Sequence, residues 1–297
     1  MLCNKNLFKN KCSKVVFTQI IFSCLLTGFA LGPVHASDDD HQGKEKEKLC
    51  KATKIDWANL PEEPAIIPVQ EKLLYVGTIN QGGEEDPDML LVVGADPANT
   101  EEYGKIIHRM DLPNIGDEVH HFGYNANRTK IILPGLFSSR MHIVNLDDPK
   151  KPYVERIYDD LVVDSKYTNP HTVIGLPNGN NLITMLGADT ESTAPGGVIE
   201  VCGDPGEYLR TFGASAQRNP EVVGPTYMYN AGYKPELNRM ITTTFGLPKD
   251  ITGAINIAGF GDEVYVWDLQ KEKVIQRVKL SPNSGALEVR WLSKHGS

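Results

Sequence analysis

From Leu74 onward, short runs of alternating apolar and polar residues are cut by Gly, Pro, Asn and Asp, with no convincing helical period over ten or more residues. One phrase recurs four times: an apolar-rich strand, an acidic residue usually followed by Pro, then a second strand. It reads MLLVVGADP ending at Pro97, RMHIVNLDDP ending at Pro149, VIEVCGDP ending at Pro205, and EVYVWDL with Asp268. The spacing is 52 from Pro97 to Pro149, 56 from Pro149 to Pro205 and 64 from Asp204 to Asp268. Repeats of that size built only from strands predict a β-propeller, whose blades are four-stranded sheets.

The remaining strands fall into place around this phrase. KIIHRMDL, YVERIYDD, EYLRTFGA and KVIQRVKL follow it, and hairpins such as Val119–Leu136 and His171–Leu186 lie between successive copies with turn residues in their middles. Four strands are accounted for in the second, third and fourth units. The first unit, with EKLLYVGTI, shows three, and a fifth has only ALEVRWL. The expected fold is therefore all-β, a β-propeller of about four blades plus the first strand of a fifth. A last strand with nothing beside it is an edge that propellers avoid by closing the ring, so the chain reads as cut short. A four-bladed ring with an unpaired last strand is the alternative.

The beginning of the chain differs. Lys5, Lys9, Lys11 and Lys14 precede an apolar run from Val15 to Leu31, and Val34-His35-Ala36 stands ahead of Ser37. That order predicts a secretory signal peptide over 1–36, a periplasmic or secreted protein, and no membrane attachment after cleavage. A retained single anchor is the competing reading, and a lipoprotein reading through Cys24 would place that Cys inside the apolar run. Residues 37–60 open with SDDDHQGKEKEKLCK, expected to be a disordered charged leader. Residues 61–297 form the expected propeller domain.

Composition narrows the classes further. The 297 residues are 40% hydrophobic with a formal charge of −8, and Lys/Arg clusters are lacking outside the leader, which argues against nucleic acid as a partner. Of five Cys, only Cys50 and Cys202 follow the signal, and a single disulfide between them is open, although Cys50 sits in the leader. The G-x-S-x-G, C-x-x-C, P-loop and dinucleotide fingerprints do not occur.

Candidate chemistry sits on the strand nearest the channel of each blade. Sliding Val119–Leu133 by 51 places it on Pro170–Thr184 without a gap and sets His120 on His171. Two imidazoles on one rigid surface suit copper, zinc or iron. An ordinary hydrogen bond from each His to a neighbouring backbone is the plainer alternative. By the two-residue period His121 points to the other side unless the strand end twists it inward, so it is either a third ligand or a packing residue. Asp117 and Glu118 are placed to orient an imidazole from the second layer, or are solvated loop carboxylates. Arg140, after Ser138-Ser139, is a candidate for an anionic group, or a structural fork to loop carbonyls. His108 and His142 fall on outer strands and are set aside. His35, His41 and His295 lie in the signal, the leader and the final residues.

The stretch KIIHRMDLPNIGDEVHHFGYN, Lys105–Asn125, resembles the selenium-binding protein and methanethiol oxidase family, which carries a similar segment with tandem His. The likeness continues through ILPGLFSSRMHIVNL, NPHTVIGLPNG and EVYVWDLQKEKVIQRVKLSPNSGALEVRWL, in the same order. The resemblance implies a seven-bladed propeller and a copper centre with His ligands. In bacterial members it implies periplasmic oxidation of methanethiol to formaldehyde, hydrogen sulfide and hydrogen peroxide. The tandem His carries over to His120 and His121, and the His of the P-H-T segment to His171. There are departures: the family's selenium-associated Cys falls at Gly104, the second His of its H-T-S-H segment at Ile174, and an acidic residue of its S-T-E-W segment at Thr244, while further ligands lie in a C-terminal part this chain lacks. The resulting expectation is a copper-dependent oxidase of a small thiol. A non-catalytic metal-, thiol- or protein-binding propeller and an inactive, shortened family member are the alternatives.

Overall fold

The alternation of the sequence becomes a set of antiparallel meanders in which every strand pairs with its neighbour in the chain. The computed structural model describes residues 54–60, 71–80, 86–188, 195–204, 206–213, 228–246 and 260–292, all within the unit Lys44–Ser297. The expected signal peptide and most of the expected leader lie outside these residues. No described helix is long and apolar enough to cross a membrane.

The first described sheet holds β1 (Leu73–Thr78), β2 (Met89–Gly94) and β3 (Ile106–Asp111). The second blade is β4 (Gly123–Tyr124), β5 (Lys130–Pro134), β6 (Met141–Asn145) and β7 (Tyr153–Tyr158). The third is β8 (Tyr167–Gly175), β9 (Asn181–Ala188), β10 (Gly197–Val201) and β11 (Tyr208–Thr211). The fourth is β12 (Met228–Lys234), β13 (Arg239–Thr244), β14 (Glu263–Asp268) and β15 (Lys273–Lys279). The protein is an all-β propeller chain, as the repeats predicted. Its one described α-helical turn, α1 (Leu161–Ser165), is stopped by Lys166 at φ 62°.

The recurring phrase occupies β6, β10 and β14, the third strand of each complete blade. Each of these strands shifts register against its outer neighbour, at Ile143/Val144, Glu200/Val201 and Val266/Trp267. β2 shifts in the same way at Val92/Val93. It is thus the third-strand equivalent of the first blade, and β1 is the second.

Burial explains why these strands are apolar on both sides. Along β5, Ile131 and Leu133 pack into the layer with Leu90 and Met110, while Ile132 between them packs with Ile183 and Ile199. Along β9 and β10, Leu182 and Val198 turn to the layer holding Met240, Tyr265 and Trp267, and their neighbours Ile183 and Ile199 turn the other way. The two-residue period therefore distributes one strand between two interblade layers. Ion pairs add links between blades: Lys150 lies 2.6 Å from Glu102, Lys130 3.1 Å from Asp204, and Arg210 2.7 Å from Glu272.

Two expectations change. Residues 286–292 form no strand, but they run beside β12: the Val289 N–H donates to Asn230 Oδ1 at 3.3 Å, and Trp291 and Val289 cover Gly232. The leader also ends earlier than residue 60. Ile55 and Trp57 are buried in the layer between the third and fourth blades, and Trp57 meets Tyr233 edge-on at 5.3 Å. Leu60 packs against the same layer, so three apolar residues dock that short segment. Cys202 is disulfide-bonded, and its partner lies outside the described residues.

Candidate metal centre

Backbone irregularity on the inner strands brings the candidate side chains together. Ahead of β4 the chain bends, with Glu118 at φ 55° and His121 at φ 33°, a left-handed conformation that costs a non-glycine residue energy and that His tolerates better than most. That bend is why His121 does not alternate away from His120. In β8 the ladder to β9 slips between Pro170 and Val173, after Asn169 at φ 59°, and the bulge contains His171 and Thr172. In β12 it slips between Met228 and Ala231, and that bulge contains Tyr229 and Asn230.

Register refines the repeat alignment. Gly123 pairs with Ile132 and Val173 with Ile183, so the second strands are offset by 51 but the inner strands by 50. His171 therefore answers to His121 rather than to His120. The inner strands touch directly: the Val173 N–H donates to the His121 carbonyl at 3.3 Å, and a Cβ at Gly123 would stand 2.5 Å from the Val173 carbonyl oxygen. Only glycine fits at that crossing.

The result is a cluster of His120, His121 and His171, one ring nitrogen of each lying within 4.8 Å of the others. Ring centroids are 4.1 Å apart for His121 and His171, 4.7 Å for His120 and His171, and 5.0 Å for the tandem pair. His171 is fully buried, and its Nε2 has no hydrogen-bond partner. Tyr229 lies over His171 at 3.8 Å, and the aromatic file continues through Phe245 at 5.0 Å to Phe260 at 4.7 Å. Glu288 Oε1 stands 3.5 Å from His121 Nδ1.

Burial, then the neighbouring imidazoles, pushes His171 down to about 2, and burial, then His121, pushes His120 down to about 4. Burial also lowers His121, against the opposing pull of Glu288. All three rings are neutral at pH 7, the state in which imidazole binds a metal ion. An all-imidazole donor set with an orphaned, buried ring nitrogen fits copper, zinc or iron.

The same shifts predict an acid sensitivity of the metal-free protein. Folded imidazoles with depressed values stay neutral while unfolded ones, near 6.5, take up protons, so stability is held above about pH 6.5 and lost as pH falls toward 4. Urea midpoints measured between about pH 7 and pH 5 should fall more steeply for the parent than for His171→Asn. Equal slopes would mean that the buried ring does not stay neutral in the fold.

The other expected site residues lie elsewhere. Asp117 is buried, but its carboxylate turns away from the three imidazoles: Oδ1 accepts from Arg140 Nη1 at 2.7 Å and Oδ2 lies 3.4 Å from His142 Nε2. Burial alone would raise Asp117, yet its contacts with His142, Ser138 and Arg140 hold it below the ordinary range. Arg140 also meets Asp159 at 3.1 Å, so its fork joins two carboxylates and does not stand open for an anion. Glu118 takes part through its carbonyl, which accepts from the Leu136 N–H at 2.9 Å. His142, set aside on the sequence, is wholly buried against Asp117. Thr172, Tyr229, Asn230 and Glu288 were not singled out. Carrying the repeat comparison one blade further, from the bulge at His171-Thr172 to that at Tyr229-Asn230, points to three of them.

Antiparallel blades whose inner strands gather three neutral imidazoles define a β-propeller with a candidate metal centre. The chain belongs to the 56 kDa selenium-binding protein family, whose pattern it matches over residues 58–296. Methanethiol oxidase of Homo sapiens is 30% identical over 242 residues, which are 75% of this chain and 50% of that protein. Methanethiol oxidase of Danio rerio is 31% identical over 243 residues, covering 75% and 51%. A hypothetical selenium-binding protein from Sulfolobus tokodaii, solved by X-ray, superposes with a TM-score of 0.67 at 28% identity, covering 75% of this chain and 52% of that one. The chain spans about half the length of the curated relatives it matches.

Proposed function

We propose that the protein is a copper-dependent oxidase of a small thiol, converting methanethiol, dioxygen and water to formaldehyde, hydrogen sulfide and hydrogen peroxide. The observation behind this reading is the cluster of three neutral imidazoles, with the Nε2 of His171 buried and unpartnered. His120, His121 and His171 would hold the ion, and copper supplies one-electron and dioxygen chemistry when bound. Around them the chain offers an apolar wall. Tyr229 lies against His171, Phe245 against Tyr229 and Phe260 against Phe245, surfaces that suit a methyl group and a polarisable sulfur. Burial, then the Glu288 charge, raises Tyr229, so it stays a neutral phenol. The N-terminal segment supports action in the periplasm or outside the cell.

Purified protein loaded with copper and given methanethiol and oxygen should produce hydrogen peroxide above a His171→Ala control. No peroxide above that control ends the oxidase reading. A second reading, a propeller that binds metal without turnover, is favoured by Ile174 and Thr244 at positions where the resemblance expects ligands. Bound copper without peroxide is its signature.

A further inference from the structure

We propose that Thr172 is a positioning residue that holds His171 in the tautomer protonated at Nδ1, leaving the Nε2 lone pair as the atom offered to a metal ion. Only the final step, the metal, rests on the reading above.

The polarity of the network is fixed from its ends by groups that can act in one way only. The backbone N–H of Val289 can only donate, and it meets Asn230 Oδ1 at 3.3 Å, so the Asn230 amide is oriented with Nδ2 on its other side. That Nδ2 donates to Thr172 Oγ1 at 3.1 Å and to Glu288 Oε2 at 3.0 Å. The Thr172 hydroxyl has one proton, and the Tyr229 carbonyl oxygen, which can only accept, lies 3.1 Å away. With its proton given to that carbonyl, Oγ1 acts as an acceptor toward His171 Nδ1 at 3.0 Å. Two incoming donors use both of its lone pairs.

The opposite tautomer fares worse at both ring atoms. It would place a proton on Nε2, which is buried without a partner, and a buried N–H with no acceptor is the costlier orphan. It would also leave the Nδ1 lone pair facing an oxygen whose proton is already committed. The Tyr229 carbonyl is held in place from a second side by Thr184 Oγ1 at 2.7 Å, and Thr184 in turn accepts the Thr172 N–H at 2.9 Å. Asn230, which joins Thr172 to Glu288, is fully buried.

The test uses the whole protein, free of metal, with its histidines labelled with ¹⁵N. Long-range ¹H–¹⁵N correlations should show His171 protonated at Nδ1 in the parent and in Thr172→Ser, and a mixture of tautomers in Thr172→Val. Cu(II) affinity, measured by competition with a chromophoric chelator, should fall roughly 10–100-fold in Thr172→Val, the usual cost of losing an outer partner of a ligand, and return in Thr172→Ser. A parent protein protonated at Nε2 overturns the proposal, and this holds even if the valine variant fails to fold. So does a valine variant that keeps the single tautomer and full affinity. Absence of copper binding with the Nδ1–H tautomer intact would remove the metal reading and leave the role of Thr172 standing.

Discussion

Replacing Asp117 with Ala is expected to destabilise the fold by about 1–3 kcal/mol, the usual cost of leaving a buried polar group without its partner. Its carboxylate is fully buried and is shared between Arg140 and His142, the latter itself without exposure. Removing it strips Arg140 of its inner partner, leaving Asp159 as the outer one, and leaves the buried His142 Nε2 with no carboxylate beside it. Asp117→Asn, which keeps the volume and one acceptor, should cost less than Ala. The loss should also reach the metal centre, because Asp117 directly precedes the bend at Glu118 and His121 that turns His121 inward. Urea unfolding followed by Trp fluorescence measures the first effect and Cu(II) competition the second. An Asp117→Ala protein within about 0.5 kcal/mol of the parent, the range of an ordinary surface change, would reduce this cluster to an incidental contact.

The fold was largely legible because a propeller writes its architecture as a period. The phrase ending in Asp-Pro marks the third strand of the blade, and the apolar residues of β5, β9 and β10 are needed on both faces because each strand serves two layers. What local pattern could not show was docking. Ile55 and Trp57 lie in a polar stretch and are recruited by a layer built from residues more than 100 positions further on. The segment 286–292 has the alternation of a strand, but among the described residues no second strand pairs with it. At the site, the repeat comparison found His171 but set it on His120, whereas the strand register sets it on His121. The inward turn of His121 depends on a φ of 33°, which spacing does not encode. Asp117 next to tandem His suggested an orienting carboxylate, whereas its true partners, Arg140 and His142, lie 23 and 25 positions away and become neighbours only through the β5–β6 hairpin. Thr172 and Asn230 carry no distinctive chemistry alone. Their role arises from two bulges packed against each other.

His171→Ala is expected to have the larger effect on the centre, lowering Cu(II) affinity by more than the roughly 10–100-fold that outer partners of a ligand are worth. His171 is the fixed member of the cluster. It is fully buried, packed against the tilted ring of Tyr229, and closer to each of the tandem rings than they are to one another. Its ring is also held at Nδ1 by Thr172, so its Nε2 needs no reorganisation to bind. His120 and His121, both partly exposed and on a bend, retain more freedom and lose more entropy on binding. Alanine at either should therefore weaken Cu(II) binding, but by less than alanine at His171. His108, in the outer strand β3, supplies the control, and His108→Ala should bind as the parent does. The electron paramagnetic resonance spectrum of the Cu(II) protein adds a readout independent of affinity, since the nitrogen couplings should drop by one imidazole in His171→Ala and remain complete in His108→Ala. Unchanged couplings in a folded His171→Ala protein would place the ion elsewhere on the propeller, and the shared site of the three imidazoles would then be packing alone.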